Sequence, residues 1–382
     1  MTPTTDEGAG PGQATTVGLT ARAGRGSLTF QNGQEPEGPP ELMSHYREIL
    51  AEPRLSWVEQ HRLIKRLGAG GQGVVYLCER VGADQFTLPV ALKIFSPEGY
   101  ADADTYDASM ARMAQVAVRV AQIQQDNLID VHNLTAPNRV RILEMEWVDG
   151  YDLQQLLSVS MRERLRQAVT PSRWDYLNDV IVTAGIIQPR LKPGVAIAVL
   201  RDCLAALSAL HREGIVHGDI KPANIMLKRT GNAKLIDIGS AFEWARGSAA
   251  RTCTLAYAAP EVIDGDGGSP RSDLASLGYV LVEMLAGTPP FARATDRDSL
   301  REAKQTILQH LPETLPEEVL CNDLLMSLIG RLIAPDPADR FPSADDADLV
   351  DRGAASFHRQ LIHGNLASEY ENEIRGWLEE IG

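Results

Sequence analysis

Hydrophobic and polar positions change their rhythm twice along this chain. Residues 1–42 have no apolar period and are rich in Gly, Pro, Thr, Gln and Glu, which predicts a disordered tail. A short helix is expected from Glu41 to Leu50. From His61 the pattern becomes that of short strands, RLIKRLG, GVVYLCERV and LPVALKIF, with Gly and Asp at the turns. From Ala101 to Ile123 the period lengthens, with Met110, Met113, Val116, Val120 and Ile123 at helical intervals. Two more strands are expected near Leu128–Leu134 and Val140–Trp147. The first half thus predicts a small sheet with one long helix.

After Gly150 the reading is mainly helical. Leu153 to Leu157 starts a helix, and Ser158 to Pro193, with its basic MRERLRQ run, lacks one clear period. Val195 to His211 is apolar nearly all round and predicts a buried helix. Further helices are expected over Leu274–Leu285, Ser299–Leu308, Leu320–Ile333 and 345–380. The last of these belongs to a helical tail, 346–382, anchored by Phe357, Leu361, Ile362, Leu366, Tyr370, Ile374, Trp377 and Leu378 and expected to pack on its own domain. The fold class is α+β.

The 382 residues allow two or three domains or one large two-lobed unit, and the 44% apolar content supports a sizeable core. A net charge of -14 supplies no overall basic field for nucleic acid or an anionic membrane. Cys78, Cys203, Cys253 and Cys321 show no paired spacing, which points to a reducing compartment and away from zinc or a disulfide framework. The start, MTPTTDEGAG, does not read as a secretory signal. The longest apolar run, Leu277 to Leu285, is interrupted by Glu283 and falls short of the roughly 20 residues of a membrane span. No membrane span is expected, and the cytoplasm is the expected location.

Candidate chemistry lies in four segments. LGAGGQGVVY places Gly68, Gly70 and Gly73, then Val75, between two strands. In a strand–turn–strand setting, absent side chains let backbone amides approach phosphates; a dinucleotide fold would place such glycines at the opening of a helix. VALKIF holds Lys93 in an apolar strand, where its charge needs an anionic partner such as the phosphates of ATP. HGDIKPANIML puts Asp219, Lys221 and Asn224 within six positions of one loop. Such a set can orient a hydroxyl proton, neutralise a moving phosphoryl group and bind Mg²⁺. In KLIDIGS, Asp237 follows an apolar strand and precedes a Gly, which suits a second hard-metal ligand.

Together these motifs resemble the eukaryotic-like (Hanks-type) Ser/Thr protein kinases and their bacterial members, over roughly residues 60 to 345. The resemblance implies a bilobal fold, with a sheet lobe near 60–146, a helical lobe near 150–345 and an insertion at 158–193. It also implies Mg-ATP as phosphoryl donor and protein Ser/Thr hydroxyls as acceptors. HGDIKPAN is similar to HRDLKPxN, which implies Asp219 as catalytic base, Lys221 beside it and Asn224 on the metal. DIG resembles DFG, with Asp237 on magnesium, and Lys93 falls on the VAIK lysine. ARTCTLAYAAPE ends in the family's APE, and Thr254 stands where these kinases carry a Thr bonded to the catalytic loop. LEMEWVDG resembles the hinge, which implies Met145 as gatekeeper and the backbone of Glu146 and Val148 against adenine. Ala91 and Met226 complete the implied nucleotide set. Asp273 would tie the central helix to the catalytic loop, and Arg340 would pair with Glu261.

Three departures stand out. Gly218 replaces the Arg that reads an activation-segment phosphate, so Ser248 and Thr252 need not be switches. Ile238 replaces the Phe of DFG. The long helix lacks the acidic partner of the VAIK lysine: Met113 or Val116 stands there, with Gln115, Asp104 and Asp107 the nearest candidates. Two other readings compete with an active protein kinase. One is an ATP-binding pseudokinase scaffold, motivated by the absent acid. The other is a small-molecule phosphotransferase of the aminoglycoside type, which HGD and LID also fit. Lys221-Pro222, TLAYAAPE and Asp273 favour a protein kinase.

Overall fold

The computed structural model describes residues 38–51, 54–56, 60–246, 254–363 and 370–382. The tail expected over residues 1–37 lies outside them. Residues 40–42 are not tail: Pro40 opens the first helix and Leu42 is buried.

The small lobe runs α1 (Pro40–Ala51), β1 (Arg54–Ser56), β2 (Gln60–Gly70), β3 (Gly73–Val81), β4 (Thr87–Phe95), α2 (Ala103–Val120), β5 (Val131–Thr135) and β6 (Ile142–Glu146). The strands form one antiparallel sheet in the order β1-β2-β3-β4-β6-β5. Both faces of β4 are covered, which is why VALKIF reads as an unbroken buried run. Val90, Leu92 and Ile94 cluster with Met43, Tyr46 and Ile49 of α1, while Ala91 and Phe95 join the cluster of α2. Asp102 caps α2 by accepting a hydrogen bond from the Thr105 amide. The strand expected from Leu128 begins only at Val131. Leu128 instead forms a bridge with Leu235 of the large lobe, Ile129 N donating to Leu235 O at 2.9 Å and Leu235 N to Asn127 O at 2.8 Å.

The large lobe continues with β7 (Gly150–Asp152), α3 (Leu153–Leu156), α4 (Val159–Ala168), α5 (Pro171–Val180), β8 (Val182–Thr183), β9 (Arg190–Leu191), α6 (Pro193–Arg212), β10 (Ile215–Val216), β11 (Ile225–Lys228), β12 (Ala233–Leu235) and β13 (Phe242–Glu243). Then follow α7 (Pro260–Asp264), α8 (Pro270–Ala286), α9 (Arg297–Gln305), α10 (Ile307–Thr314), α11 (Glu317–Leu320), α12 (Asp323–Leu332), α13 (Ala344–Leu349), α14 (Ala354–His363) and α15 (Tyr370–Ile381). The core is α6 against α8. α6 is long and apolar enough to cross a membrane by composition, but its side chains fill the protein's interior. α8 is buried from Ser272 to Ala286, opened by a Ser269–Ser272 capping box with Pro270 and closed by Gly287 at φ +68°.

The insertion and the tail differ from expectation and explain one another. The stretch without one period is two capped helices and a small hairpin: Ser158 caps α4, and Thr170 followed by Pro171 opens α5. The helical tail is three helices, and a boundary at residue 346 would cut α13, which packs on α6. α15 lies on α4 and α6 with Ile374, Trp377, Leu378 and Ile381 buried. Arg173 of the insertion donates to Glu380 at 2.7 Å, Tyr176 to Glu373 at 2.7 Å, and Tyr151 Oη to Gly382 O at 2.6 Å. Leu366 lies outside the described residues.

Candidate active site

β3 and β4 set the roof of the site, with Gly73 opposite Phe95 and Val75 opposite Lys93. Gly73 has φ +139°, and a Cβ there would run into the carbonyl oxygen of Ile94, so glycine is required. Gly68 and Gly70 have nothing within 4 Å of where a Cβ would stand, which is the room a phosphate chain needs beside backbone amides. Lys93 is 4% exposed. Its Nζ donates to Asp237 Oδ1 at 2.5 Å and to Gln72 Oε1 at 2.7 Å. The expectation that a charge in this strand needs an anion is met inside the chain.

The floor is the loop between β10 and β11. Asp273, at the first turn of α8, is 1% exposed and collects three donors from beneath the loop. Its Oδ2 accepts from His217 N at 2.8 Å and His211 Nε2 at 2.9 Å, and its Oδ1 from Gly218 N at 2.9 Å. Gly218 has φ +76°, and a Cβ there would stand 3.0 Å from Ser240 O. Asp219 is held from both sides. Its Oδ1 accepts from Thr254 N at 3.0 Å, and its Oδ2 from Lys221 Nζ at 2.6 Å and Asn224 Nδ2 at 3.2 Å. Lys221 Nζ also donates to Thr254 Oγ1 at 2.9 Å.

Asn224 spends its amide nitrogen on Asp219, donating to the carbonyl oxygen at 2.8 Å, which leaves the amide oxygen for a cation. Across the β11–β12 hairpin, Ile236 N donates to Asn224 O at 2.9 Å, and this brings Asp237 alongside. Asp237 sits at φ +65°, in the left-handed region, and accepts from Gly239 N at 3.0 Å. Burial works to raise its carboxyl, but the Lys93 ammonium outweighs it and holds the group down at about 2. An ionised carboxylate and an amide oxygen on neighbouring strand ends are hard donors that fit magnesium, a cation that keeps few protein ligands. Ile238, in the Phe position, is buried.

The segment expected to meet adenine lies between β6 and β7. Met145 pairs with Ala91 across the sheet, and Met226 pairs with Asp152 on the large-lobe side. Glu146 N donates to Asp130 O at 2.9 Å, and its carboxylate takes Lys234 and the Asp130 amide. Val148 is buried. Asp152 caps α3, and burial raises its carboxyl to about 6.

The segment from Thr254 to Glu261 is fixed from below. Tyr257 Oη donates to Glu283, which also accepts from Gln188 of the insertion at 2.9 Å. Lys304 Nζ, fully buried, donates to Ala256 O at 2.8 Å while lying 4.1 Å from the Tyr279 ring centre and 3.9 Å from that of Phe291. Arg340 grips both oxygens of Glu261, at 2.6 Å and 2.8 Å. Two carboxylates, two lysines and an amide thus share one cleft beside the glycine hairpin.

A family model described as the protein kinase domain matches residues 61–347, well over half of the chain. The chain belongs to the protein kinase family. Among its curated relatives are serine/threonine-protein kinase PknD of Mycobacterium tuberculosis, 30% identical over 309 residues (78% of this chain, 40% of the relative), and PknJ of the same organism, 30% identical over 330 residues (83% and 47%). Probable serine/threonine-protein kinase PknB of Lactococcus lactis is 26% identical over 300 residues (76% and 41%). The chain spans less than half the length of these relatives.

Each catalytic and metal residue expected of a kinase stands in this cleft, and Asp273 and Arg340 make their expected bonds. No acid of α2 reaches Lys93. Met113 and Val116 are buried apolar packing, Asp104 and Gln115 lie on the exposed side, and Asp107 is engaged by Arg139 and Arg141. The residue found beside Lys93 instead is Gln72, which the motif reading passed over. Its one sequence signal is that it is the polar side chain at the hairpin tip, in Gly-Gly-Gln-Gly. Ser240, Asp152, Gln188, Glu283 and Lys304 were also missed. Ser248, Arg251, Thr252 and Cys253 lie outside the described residues.

Proposed function

We propose that the chain is a Ser/Thr protein kinase that transfers the γ-phosphate of Mg-ATP to a Ser or Thr hydroxyl of a protein. The observation that carries this reading is the Asp219 cluster: a carboxylate held by the Thr254 amide, Lys221 and Asn224, within the cleft that also contains Lys93 and Asp237. Asp219 Oδ1 carries one donor and keeps a lone pair to orient and accept the proton of an incoming hydroxyl. The hydroxyl oxygen of the acceptor, giving that proton to Asp219, bonds to the γ-phosphorus as the bond to the bridging oxygen of ADP breaks. Lys221 offers positive charge beside the moving group, and Lys93 offers it to the phosphates that stay behind. Asn224 and Asp237 would hold magnesium, which when bound neutralises charge on the phosphate oxygens. The Tyr257–Glu283 and Lys304–Ala256 bonds support a protein acceptor, because they stiffen a platform that a small-molecule acceptor would not need. A reducing, cytoplasmic setting is proposed from the free thiols of Cys78, Cys203 and Cys321.

The test is transfer of labelled γ-phosphate to a generic protein substrate with Mg²⁺. Asp219→Asn should lower it about a thousandfold or more, since positioning and electrostatics supply most of the catalysis. Equal signal from wild type and variant overturns the reading. If ATP raises the melting temperature while no phosphate moves, the chain is instead a nucleotide-binding scaffold.

A further inference from the structure

Lys93 has no carboxylate from α2, yet it is buried and bonded. Gln72, at the tip of the β2–β3 hairpin, supplies the second acceptor. Its Oε1 takes Lys93 Nζ at 2.7 Å, its Nε2 donates to Ser240 Oγ at 2.8 Å, and its backbone oxygen accepts from Ser96 N at 3.0 Å. One side chain therefore links the roof, the β4 lysine and the turn after Asp237. Gly239 makes the link possible: a Cβ there would stand 2.7 Å from Lys93 Nζ and would collide with Gln72 Oε1. The partners lie in three separate parts of the chain, and both ends of the carboxamide are engaged, the oxygen by a donor and the nitrogen by an acceptor. Asp237 is also the expected ligand of the cation, and a carboxylate shared with a cation would be a weaker partner for the ammonium. A neutral carboxamide does not compete for that cation's charge and can stay on Lys93.

We propose that Gln72 is the positioning residue for Lys93, taking from the glycine hairpin the part that an acid on the long helix would otherwise play. The proposal rests on the kinase reading for its effect on turnover but not for its effect on Lys93 itself. Two measurements separate the cases. The first needs neither nucleotide nor activity: the rate at which a small acylating reagent modifies Lys93 in the nucleotide-free protein, followed by mass spectrometry. Gln72→Ala should raise that rate several-fold with an unchanged melting temperature, and Gln72→Glu should keep it at the wild-type level or below. The second is steady-state phosphoryl transfer. Gln72→Ala should lower kcat/KM for ATP by about tenfold to a hundredfold, the scale set by a misplaced reacting group, and Gln72→Glu should restore most of it. Wild-type labelling and turnover in Gln72→Ala overturn the proposal, as does higher turnover, which would make the contact an obstruction. A loss confined to Gln115→Ala would return the role to the helix. If wild type transfers no phosphate, the kinase reading fails and the labelling rates alone decide for or against Gln72.

Discussion

Glu144 shows how far a single buried carboxylate can organise the small lobe. It is 4% exposed on β6, with His61 Nε2 at 3.0 Å, Arg80 Nη1 at 2.7 Å and His132 Nδ1 at 3.6 Å. Burial works to raise its carboxyl, but the His61 hydrogen bond and the charges of His61, Arg80 and His132 prevail and lower it below the ordinary value of 4.5. The folded state therefore binds this proton less readily than the unfolded chain. Its contribution to stability is present above that ordinary value and is lost as pH falls through the lowered one. Glu144→Gln should unfold at lower urea than wild type at pH 7, and the gap should shrink as the solution is acidified below that ordinary value. A gap that stays constant with pH would show that packing and not ionisation is responsible. At this scale the sequence was a good guide wherever a residue carries chemistry of its own. Lys93, Asp219, Asn224 and Asp237 declare themselves by charge in an apolar setting or by clustering in one loop. Gln72 does not, because its meaning lies in Lys93 and Ser240, residues 21 and 168 positions away.

Among the elements, the insertion and α15 form the least expected pairing. Neither stabilises itself: α4 and α5 each bury one apolar residue, Leu165 and Leu177, and α15 covers the gap. Gly194 at the start of α6 admits Tyr370, since a Cβ there would run into the phenol ring. Trp377 is 1% exposed, and its truncation to alanine should cost about 3–5 kcal/mol, read as a lowered urea midpoint. A loss under about 1 kcal/mol would mean that the helix is only loosely seated. The caps of this region were visible in the sequence as Ser158 and as Thr170-Pro171, but a search for one apolar period across two helices averages them away. The strands and the long helices were legible because each keeps a single period. β5 was misplaced because Leu128 and Ile129 are apolar and buried like strand residues, while the backbone around them pairs with Leu235 of the other lobe.

For the whole molecule, Gly218 bears on regulation. It has no side chain to meet a phosphate on the activation segment, and its φ of +76° suits a residue without one. Thr252→Ala should therefore leave phosphoryl transfer unchanged, measured before and after phosphatase treatment of the wild type. Loss of activity on either treatment would mean that another cation reads that phosphate. The bilobal plan followed from the resemblance once the glycine hairpin, the catalytic loop and the APE segment were aligned. The coupling of the lobes through Lys93, Gln72 and Ser240 could not follow from it, because it replaces a contact that the resemblance led one to seek on α2.

Asp273 lies in α8, a helix buried from Ser272 to Ala286, and holds the backbone of both His217 and Gly218. The loop that carries Asp219 is thereby tied through two amides to a helix buried along nearly its whole length, so a change at Asp273 would be felt at Asp219 without touching the cleft.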